Sequence, residues 1–105
     1  MANPRIVFRL EVLLNSNSIR IAAYTYDATG EVAGRFDLIE SSPVIVGALG
    51  DLRVANAISG FRALNPGVAI EFLPDAEAIN ALERAGNGKG YERIAEAFAT
   101  GKAAA

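Results

Sequence analysis

The sequence predicts an α+β domain, in which a three-stranded antiparallel meander is followed by a helix, a fourth strand and two further helices. Three observations support this prediction. Three runs before Pro43 alternate apolar residues with polar ones and are separated by turn signals. The apolar residues after Pro43 recur mostly at helical spacing. A short apolar run over residues 68–73 interrupts the helical part and adds a fourth strand, which makes a mixed four-stranded sheet.

The meander occupies the first part of the chain. The first run alternates, and its second face is still half apolar, which predicts a central strand. The turn signals between the runs are rich in Asn, Asp, Ser and Gly, which close hairpins. The strands are expected over residues 5–14, 19–26 and 31 to about 40, with turns at residues 15–18 and 27–30.

The first helix is expected over about residues 44–64. Gly47 and Gly50 weaken its beginning, because each glycine in a helix interior costs roughly 1 kcal/mol against alanine. The well-formed part of this helix is therefore expected to begin near Asp51. Residues 65–67, Asn-Pro-Gly, end the helix and lead into the fourth strand.

Two shorter helices complete the pattern. Asp75 stands at the cap position of the second helix, and Glu77 follows in its first turn. Residues 86–90 contain three glycines and predict a hinge. From Tyr91 onward the apolar residues recur at helical spacing again and predict the final helix.

The composition limits the chemistry available to the chain. Its 105 residues include no cysteine and no histidine, which excludes disulfides, thiolate nucleophiles, zinc sites of the Cys/His kind and histidine general bases. The formal net charge is −2, whereas proteins that bind many phosphates usually show a basic surface. The length predicts one domain over residues 1–105, with a tail from about residue 101.

We expect a cytoplasmic protein that does not enter a membrane. The N-terminal residues lack the flanks and apolar segment of a signal peptide. No stretch of the sequence approaches the roughly 18 apolar residues of a membrane span.

Two segments of the chain resemble the ribonuclease H type I family. Residues 24–34, YTYDATGEVAG, are similar to the family's second hairpin, and residues 64–71, LNPGVAIE, are similar to its loop from the first helix to the fourth strand. The predicted order of elements also resembles the first four strands of that fold. The resemblance implies a ribonuclease H-like domain that is truncated, because the family's fifth strand and terminal helix have no counterpart here.

The nucleases of this family hold two divalent metal ions with four carboxylates. The resemblance places the first ligand position on Asn15, the second on Arg53 and the third on Asp75. Asparagine is neutral, arginine repels a cation, and the family's fourth position lies beyond the fifth strand, which has no counterpart here, so only Asp75 is retained. One carboxylate makes a poor site for a hard cation. The resemblance therefore implies a degenerate site with no catalytic residue, no metal and no other cofactor.

The retained and replaced positions each have a second interpretation. Asp75 also fits the role of helix cap, which is worth roughly 1 kcal/mol, and we favour the cap. Arg53 either forms an ion pair with Asp75 where the family binds its metal ions, or is simply exposed. A residual nuclease that uses magnesium or manganese at Asp75 would have to recruit Asp51 or Glu11. Asp51 lies about 200° around the helix from Arg53, so it is expected to point away.

Nucleic-acid binding is the main alternative function. Arg20, Tyr24 and Tyr26 share one face of a strand, and aromatic side chains on sheet surfaces stack bases in single-strand binders. Such residues also commonly cover a sheet under a helix. Together with Arg53 and Lys89 they would form a weak binding site, as in an accessory protein of a mobile element or phage.

The missing fifth strand leaves residues 68–73 at an edge of the predicted sheet. A bare edge exposes main-chain N–H and C=O groups and invites pairing with another chain. The expected interface residues are Val68, Ile70, Glu71 and Phe72. We therefore expect a non-catalytic interaction or assembly module that binds a protein partner or a second copy of itself.

Overall fold

The structure, a computed structural model, describes residues 3–14, 17–86 and 88–101. Along this part of the chain the elements follow the predicted order of three strands, a helix, a strand and two helices, which confirms the α+β class. The elements are β1 (Arg5–Val12), β2 (Ile19–Tyr26), β3 (Val32–Ser41), α1 (Pro43–Leu64), β4 (Ala69–Pro74), α2 (Ala76–Arg84) and α3 (Gly88–Thr100).

The four strands form one mixed sheet in the order β3-β2-β1-β4. β1 pairs antiparallel with β2 and parallel with β4, and β2 pairs antiparallel with β3. The central position of β1 confirms the prediction from its apolar face and its half-apolar second face. β4 lies at one edge of the sheet, as the sequence predicts, and β3 forms the other edge.

The helices pack on one face of the sheet. Alternate strand residues such as Phe8 and Ile21 point to this face and are fully buried. The ring of Phe8 lies between Phe61 of α1 and Phe98 of α3, with centroid distances of 5.9 and 6.2 Å. Burying one such side chain contributes about 1.5–3 kcal/mol. A single hydrophobic core therefore joins the sheet to the helical layer.

α1 begins at Pro43, within one residue of the predicted range of about 44–64, but the expectation that its well-formed part begins near Asp51 was wrong. Proline fits the first helical position because its ring fixes φ and it has no N–H left to satisfy. Gly47 and Gly50 are both buried. A Cβ at Gly50 would lie 2.9 Å from Cδ1 of Ile94 on α3, so the missing side chain permits close packing of the two helices. This packing offsets the low helix propensity of glycine.

α3 begins at Gly88, so the predicted hinge over residues 86–90 was wrong for its second half. Gly90 is buried within the beginning of the helix. Gly86 remains in the turn with φ of 81°, a left-handed conformation that glycine adopts without strain. Asn87 and residues 102–105, which include most of the predicted tail, lie outside the described residues.

Candidate interaction surface

The outer side of β4 presents unpaired main-chain groups. The N–H of Asp75 donates to the C=O of Leu10 at 2.9 Å. Alternate residues of a strand direct their main-chain groups to the same neighbour, so Glu71 also bonds to β1. Ile70 and Phe72 therefore direct their N–H and C=O groups away from the sheet. Since β4 is last in the strand order, no strand of the described chain receives them.

Both ends of this outer side are closed to further pairing. The N–H of Val68, which lies just before β4, donates to the C=O of Asn65 at 3.2 Å. Pro74 ends the strand and has no N–H to donate. The available donors thus belong to Ile70 and Phe72, and these two residues with Glu71 between them are called the β4 edge below.

The part of the hydrophobic core beneath the β4 edge is partly exposed to solvent. The side chains of Ile70 and Phe72 pack against the core, but both are only partly buried. Phe72 contacts Phe98 of α3, with ring centroids 5.5 Å apart. A strand added at this edge would cover apolar side-chain surface and satisfy main-chain groups at the same time.

Glu71 carries the only charge of the β4 edge. Its carboxylate accepts a hydrogen bond from Nη1 of Arg5 at 3.2 Å, on the sheet face opposite the helices. The two side chains are 47% and 44% exposed, and ion pairs this exposed contribute about 0–1 kcal/mol. The pair lies above β1 and β4 and leaves the main-chain edge uncovered.

Asp75, the retained acid of the ribonuclease H pattern, serves as a helix cap. Its carboxylate accepts a hydrogen bond from the N–H of Glu77 at 3.3 Å, which confirms the cap interpretation. Arg53 is exposed on α1, and no ion pair among the described residues joins it to Asp75. Asn15 lies outside the described residues.

The two acids considered as substitute metal ligands already have partners. Glu11 Oε1 accepts hydrogen bonds from Arg20 at 2.7 and 3.0 Å and from the hydroxyl of Tyr24 at 3.0 Å. The hydrogen bond with Glu11 raises the pKa of Arg20, so its guanidinium stays charged. Asp51 is 2% exposed and accepts from Arg93 of α3 at 2.8 Å. In the described parts of the chain, no three acids form a group that could hold a metal ion.

A cleft of about 300 Å³ lies where β1 and β4 end, and Arg9, Glu11, Leu73 and Asp75 are among its lining residues. Its two carboxylates are those already bonded to Arg20 and to the first turn of α2. Arg9 adds a positive charge, and its buried Nε has no hydrogen-bond partner among the described residues. This combination of engaged carboxylates and a cation is unfavourable for a divalent metal ion.

The sheet face opposite the helices holds the tyrosines expected to stack bases. No helix of the described chain covers Tyr24 and Tyr26, so the interpretation that a helix covers them was wrong. Arginines cover them instead. The guanidinium of Arg5 lies 4.7 Å from the ring centroid of Tyr26, and that of Arg9 lies 5.4 Å from the centroid of Tyr24. These guanidinium groups occupy ring surface that a stacked base would need.

The five residues expected to bind nucleic acid are not brought together. Arg20 lies with the tyrosines on the open sheet face, where the arginines mostly pair with carboxylates, as Arg35 does with Asp37 at 3.2 Å. Arg53 on α1 and Lys89 at the start of α3 are exposed on the helical layer, on the other side of the sheet. The open face is therefore close to neutral.

The sequence interpretation missed an apolar surface on α1. Ile45, Leu49 and Leu52 follow one another at helical spacing and are 45%, 46% and 52% exposed, on the side opposite Val54 and Ile58 of the core. An 18-residue window of α1 has a mean hydropathy of 1.3, so by length and composition alone this helix could cross a membrane, and the expectation about apolar stretches was wrong. In the fold, one side of α1, with Val46, Val54 and Ile58, is buried in the hydrophobic core. Counting apolar residues on each helix face separately would have revealed the exposed side.

The chain matches no family model, no curated protein and no solved structure. The resemblance to ribonuclease H therefore stays a prediction, which depends on residues 24–34, residues 64–71 and the order of elements. The function proposed below therefore depends on the geometry of the described residues.

Proposed function

We propose that this chain is a non-catalytic interaction module that accepts a β-strand from another polypeptide at the β4 edge. The observation that carries the proposal is the pair of outward main-chain groups on Ile70 and Phe72 above a half-open core. An extended segment can pair with such groups without rearranging the fold, and the main-chain hydrogen bonds then supply affinity. The module works in the cytoplasm and needs no cofactor.

The engagement of the acidic side chains supports the non-catalytic part of the proposal. Asp75 caps a helix, Glu11 is bonded to Arg20 and Tyr24, and Asp51 is buried against Arg93. A hydrolytic metal site needs several carboxylates turned toward one cation. Freeing these acids would break a cap and two ion pairs.

The β4 edge is a better candidate than the apolar side of α1. Exposed leucine and isoleucine side chains, such as Leu49 and Ile45, are common on monomeric proteins and need no partner. An edge strand with unpaired N–H and C=O groups is different, because proteins that remain monomeric usually protect such an edge. Ile70 and Phe72 lack this protection.

A strand-shaped probe tests the proposal. A synthetic peptide with the sequence of residues 67–74 is titrated into isotope-labelled protein, and the amide chemical shifts are followed by NMR. We expect the amides of Ile70 and Phe72 to shift strongly, and that of Glu71 to shift less because it already bonds to β1. The control is the same peptide N-methylated at its isoleucine and phenylalanine, which keeps the side chains but removes two donors. Equal binding of both peptides, or no shift at the β4 edge, contradicts the proposal.

Nucleic-acid binding is a second candidate, because Tyr24, Tyr26 and Arg20 lie on an uncovered sheet face. Fluorescence anisotropy with labelled single-stranded DNA and with an RNA–DNA hybrid tests it across a salt series. Binding by phosphate neutralisation weakens steeply with salt. We expect no salt-dependent binding, since carboxylates neutralise most arginines of this face.

The same samples test the residual nuclease. Each is supplied with magnesium or manganese and then run on a denaturing gel. Intact strands are expected, because Asp75 and Glu11 are engaged elsewhere. Cleavage that Asp75→Asn abolishes would overturn the non-catalytic assignment.

A further inference from the structure

We infer that the strand added at the β4 edge is β4 of a second copy of this chain, paired antiparallel across a two-fold axis. The inference depends on the proposed function and names the partner. The dimer would contain one continuous sheet in which the two β4 strands lie side by side, with both helical layers on the same side of it.

The chemistry of the β4 edge is self-complementary. Ile70 and Phe72 each offer one donor and one acceptor, so two antiparallel copies match donor to acceptor. Their side chains lie on the helix side, where they would meet the same side chains of the other copy. Isoleucine beside phenylalanine is a favourable cross-strand pair. The partly buried Phe98 of each copy would extend this apolar contact.

Pairing of two copies through the same edge is favoured because it gives a closed dimer. When two molecules pair β4 to β4, the outer edges of the joined sheet are both β3, and the assembly ends there. Pairing of β4 with β3 of another copy would instead continue without limit. β3 opposes this, because its pairing with β2 contains two irregularities and Arg35 and Asp37 stand along it.

The two Glu71 side chains come close together in every antiparallel register that uses Ile70 and Phe72. Residue 71 then stands opposite residue 69, 71 or 73 of the other copy. Directly opposed Cβ atoms are about 4.5–5.5 Å apart, and diagonal ones about 7–8 Å apart. Like charges at these positions weaken pairing, so Glu71 limits the affinity of the dimer. Glu71→Gln is therefore expected to tighten the dimer about threefold.

The test measures oligomeric state and edge protection together. Sedimentation velocity of the unmodified chain from low micromolar to near-millimolar concentration gives the dissociation constant. Hydrogen exchange at the two ends of this range reports on individual amides. We expect a dimer in which the amides of Ile70 and Phe72 become protected as concentration rises. A monomer at near-millimolar concentration overturns the inference, and so does a dimer in which these two amides still exchange rapidly.

Two variants sharpen the outcome. Ile70→Lys places a charge on the side that faces the other copy and is expected to give a monomer, with its fold checked by circular dichroism. Glu71→Gln is compared with Glu83→Gln, which removes an exposed carboxylate on α2 and should leave the dissociation constant unchanged. If Ile70→Lys does not fold, the exchange data on the unmodified chain still decide.

The failure of this inference can be told from the failure of the proposed function. If the strand peptide shifts the amides of Ile70 and Phe72 while the protein stays monomeric, the edge accepts an extended strand but does not pair with β4 of a folded second copy. If neither the peptide nor a second copy pairs there, the interaction function of the β4 edge is wrong as well.

Discussion

β3 and β4 are the two edge strands of one sheet, and they differ in length, regularity and charge. β3 has 10 residues, and its pairing with β2 shifts at two places. Arg35 and Asp37 form an ion pair along it. β4 has 6 residues in unbroken register with β1, and Glu71 is its only charged residue.

The difference shows which edge is protected against pairing. Register shifts twist an edge strand away from a partner, and charges along the strand make its addition to another sheet unfavourable. β3 has both devices. β4 is protected by its shortness, by Glu71 and by Pro74 at its end, but Ile70 and Phe72 keep outward main-chain groups, and its apolar side chains continue the core. The less protected edge is therefore the one expected to take part in an interface.

The largest expected effect comes from proline substitutions at neighbouring positions of β4. Glu71→Pro removes an N–H that bonds to β1, and we expect a loss of about 3 kcal/mol in the free energy of unfolding. Ile70→Pro removes an outward N–H, so the ladder with β1 stays intact and the loss is expected to be about 1 kcal/mol. Urea denaturation at low micromolar protein concentration measures both.

Glu71→Ala and Ile70→Ala serve as controls for these proline variants, since they remove the side chains and keep the N–H groups. Similar losses for the two prolines, after subtraction of the alanine values, would contradict the assignment of inward and outward residues on β4. That assignment is the basis of the proposed pairing.

A matched pair of phenylalanines is expected to give the next largest effect. Phe72 of β4 and Phe36 of β3 each contact a helix phenylalanine, with the same centroid distance of 5.5 Å. Phe36 is 57% exposed, whereas Phe72 is partly buried. We expect Phe72→Ala to cost about 2 kcal/mol and Phe36→Ala about 1 kcal/mol. Equal costs would mean that Phe72 is no better packed against the core than Phe36.

The sequence predicted the order of the elements, because strand alternation and turn signals are local properties. The regularity of the first turns of α1 was missed because Gly50 is favoured by its close packing against Ile94, which lies far away in the sequence. The first turn of α3 was missed for a related reason, since Gly90 is a buried position. Helix propensity describes an isolated helix, whereas tertiary packing determines how α1 and α3 begin.

The candidate site could be predicted only in part. The pattern of β4 showed an apolar strand, and the resemblance placed it at an edge. Which residues face outward depends on the pairing of Asp75 with Leu10, which the sequence does not reveal. The pairing of Glu11 with Arg20 and Tyr24 likewise requires two strands in a particular register.

Ion pairs on the two edges are expected to have small effects. Double-mutant cycles on Arg35 with Asp37 and on Arg5 with Glu71 should give coupling energies of about 0–1 kcal/mol, since all four side chains are well exposed. If Arg5 and Glu71 couple by about 2 kcal/mol or more, the carboxylate is held more firmly than its exposure indicates. Glu71 would then be a structural residue of the monomer as well as the charge at the proposed interface.

The smallest effect concerns the turn that leads into β3. The Asp27 carboxylate accepts hydrogen bonds from the hydroxyl of Thr29 and from the N–H groups of Thr29 and Glu31. These bonds, above all that of the Thr29 hydroxyl, hold the pKa of Asp27 below its ordinary value. The carboxylate therefore stabilises the hairpin at pH values above the unfolded pKa of about 3.9, and this contribution is lost as pH falls through the folded pKa.

Thermal unfolding of the unmodified chain and of Asp27→Ala, measured from neutral pH into acid, tests this expectation. The difference in Tm should be largest at neutral pH and should shrink in acid. A difference that stays constant with pH would show that the charge of Asp27 is not what holds the turn. The protection assigned to β3, its register shifts and the pair of Arg35 with Asp37, does not involve Asp27, so either result leaves β4 as the less protected edge.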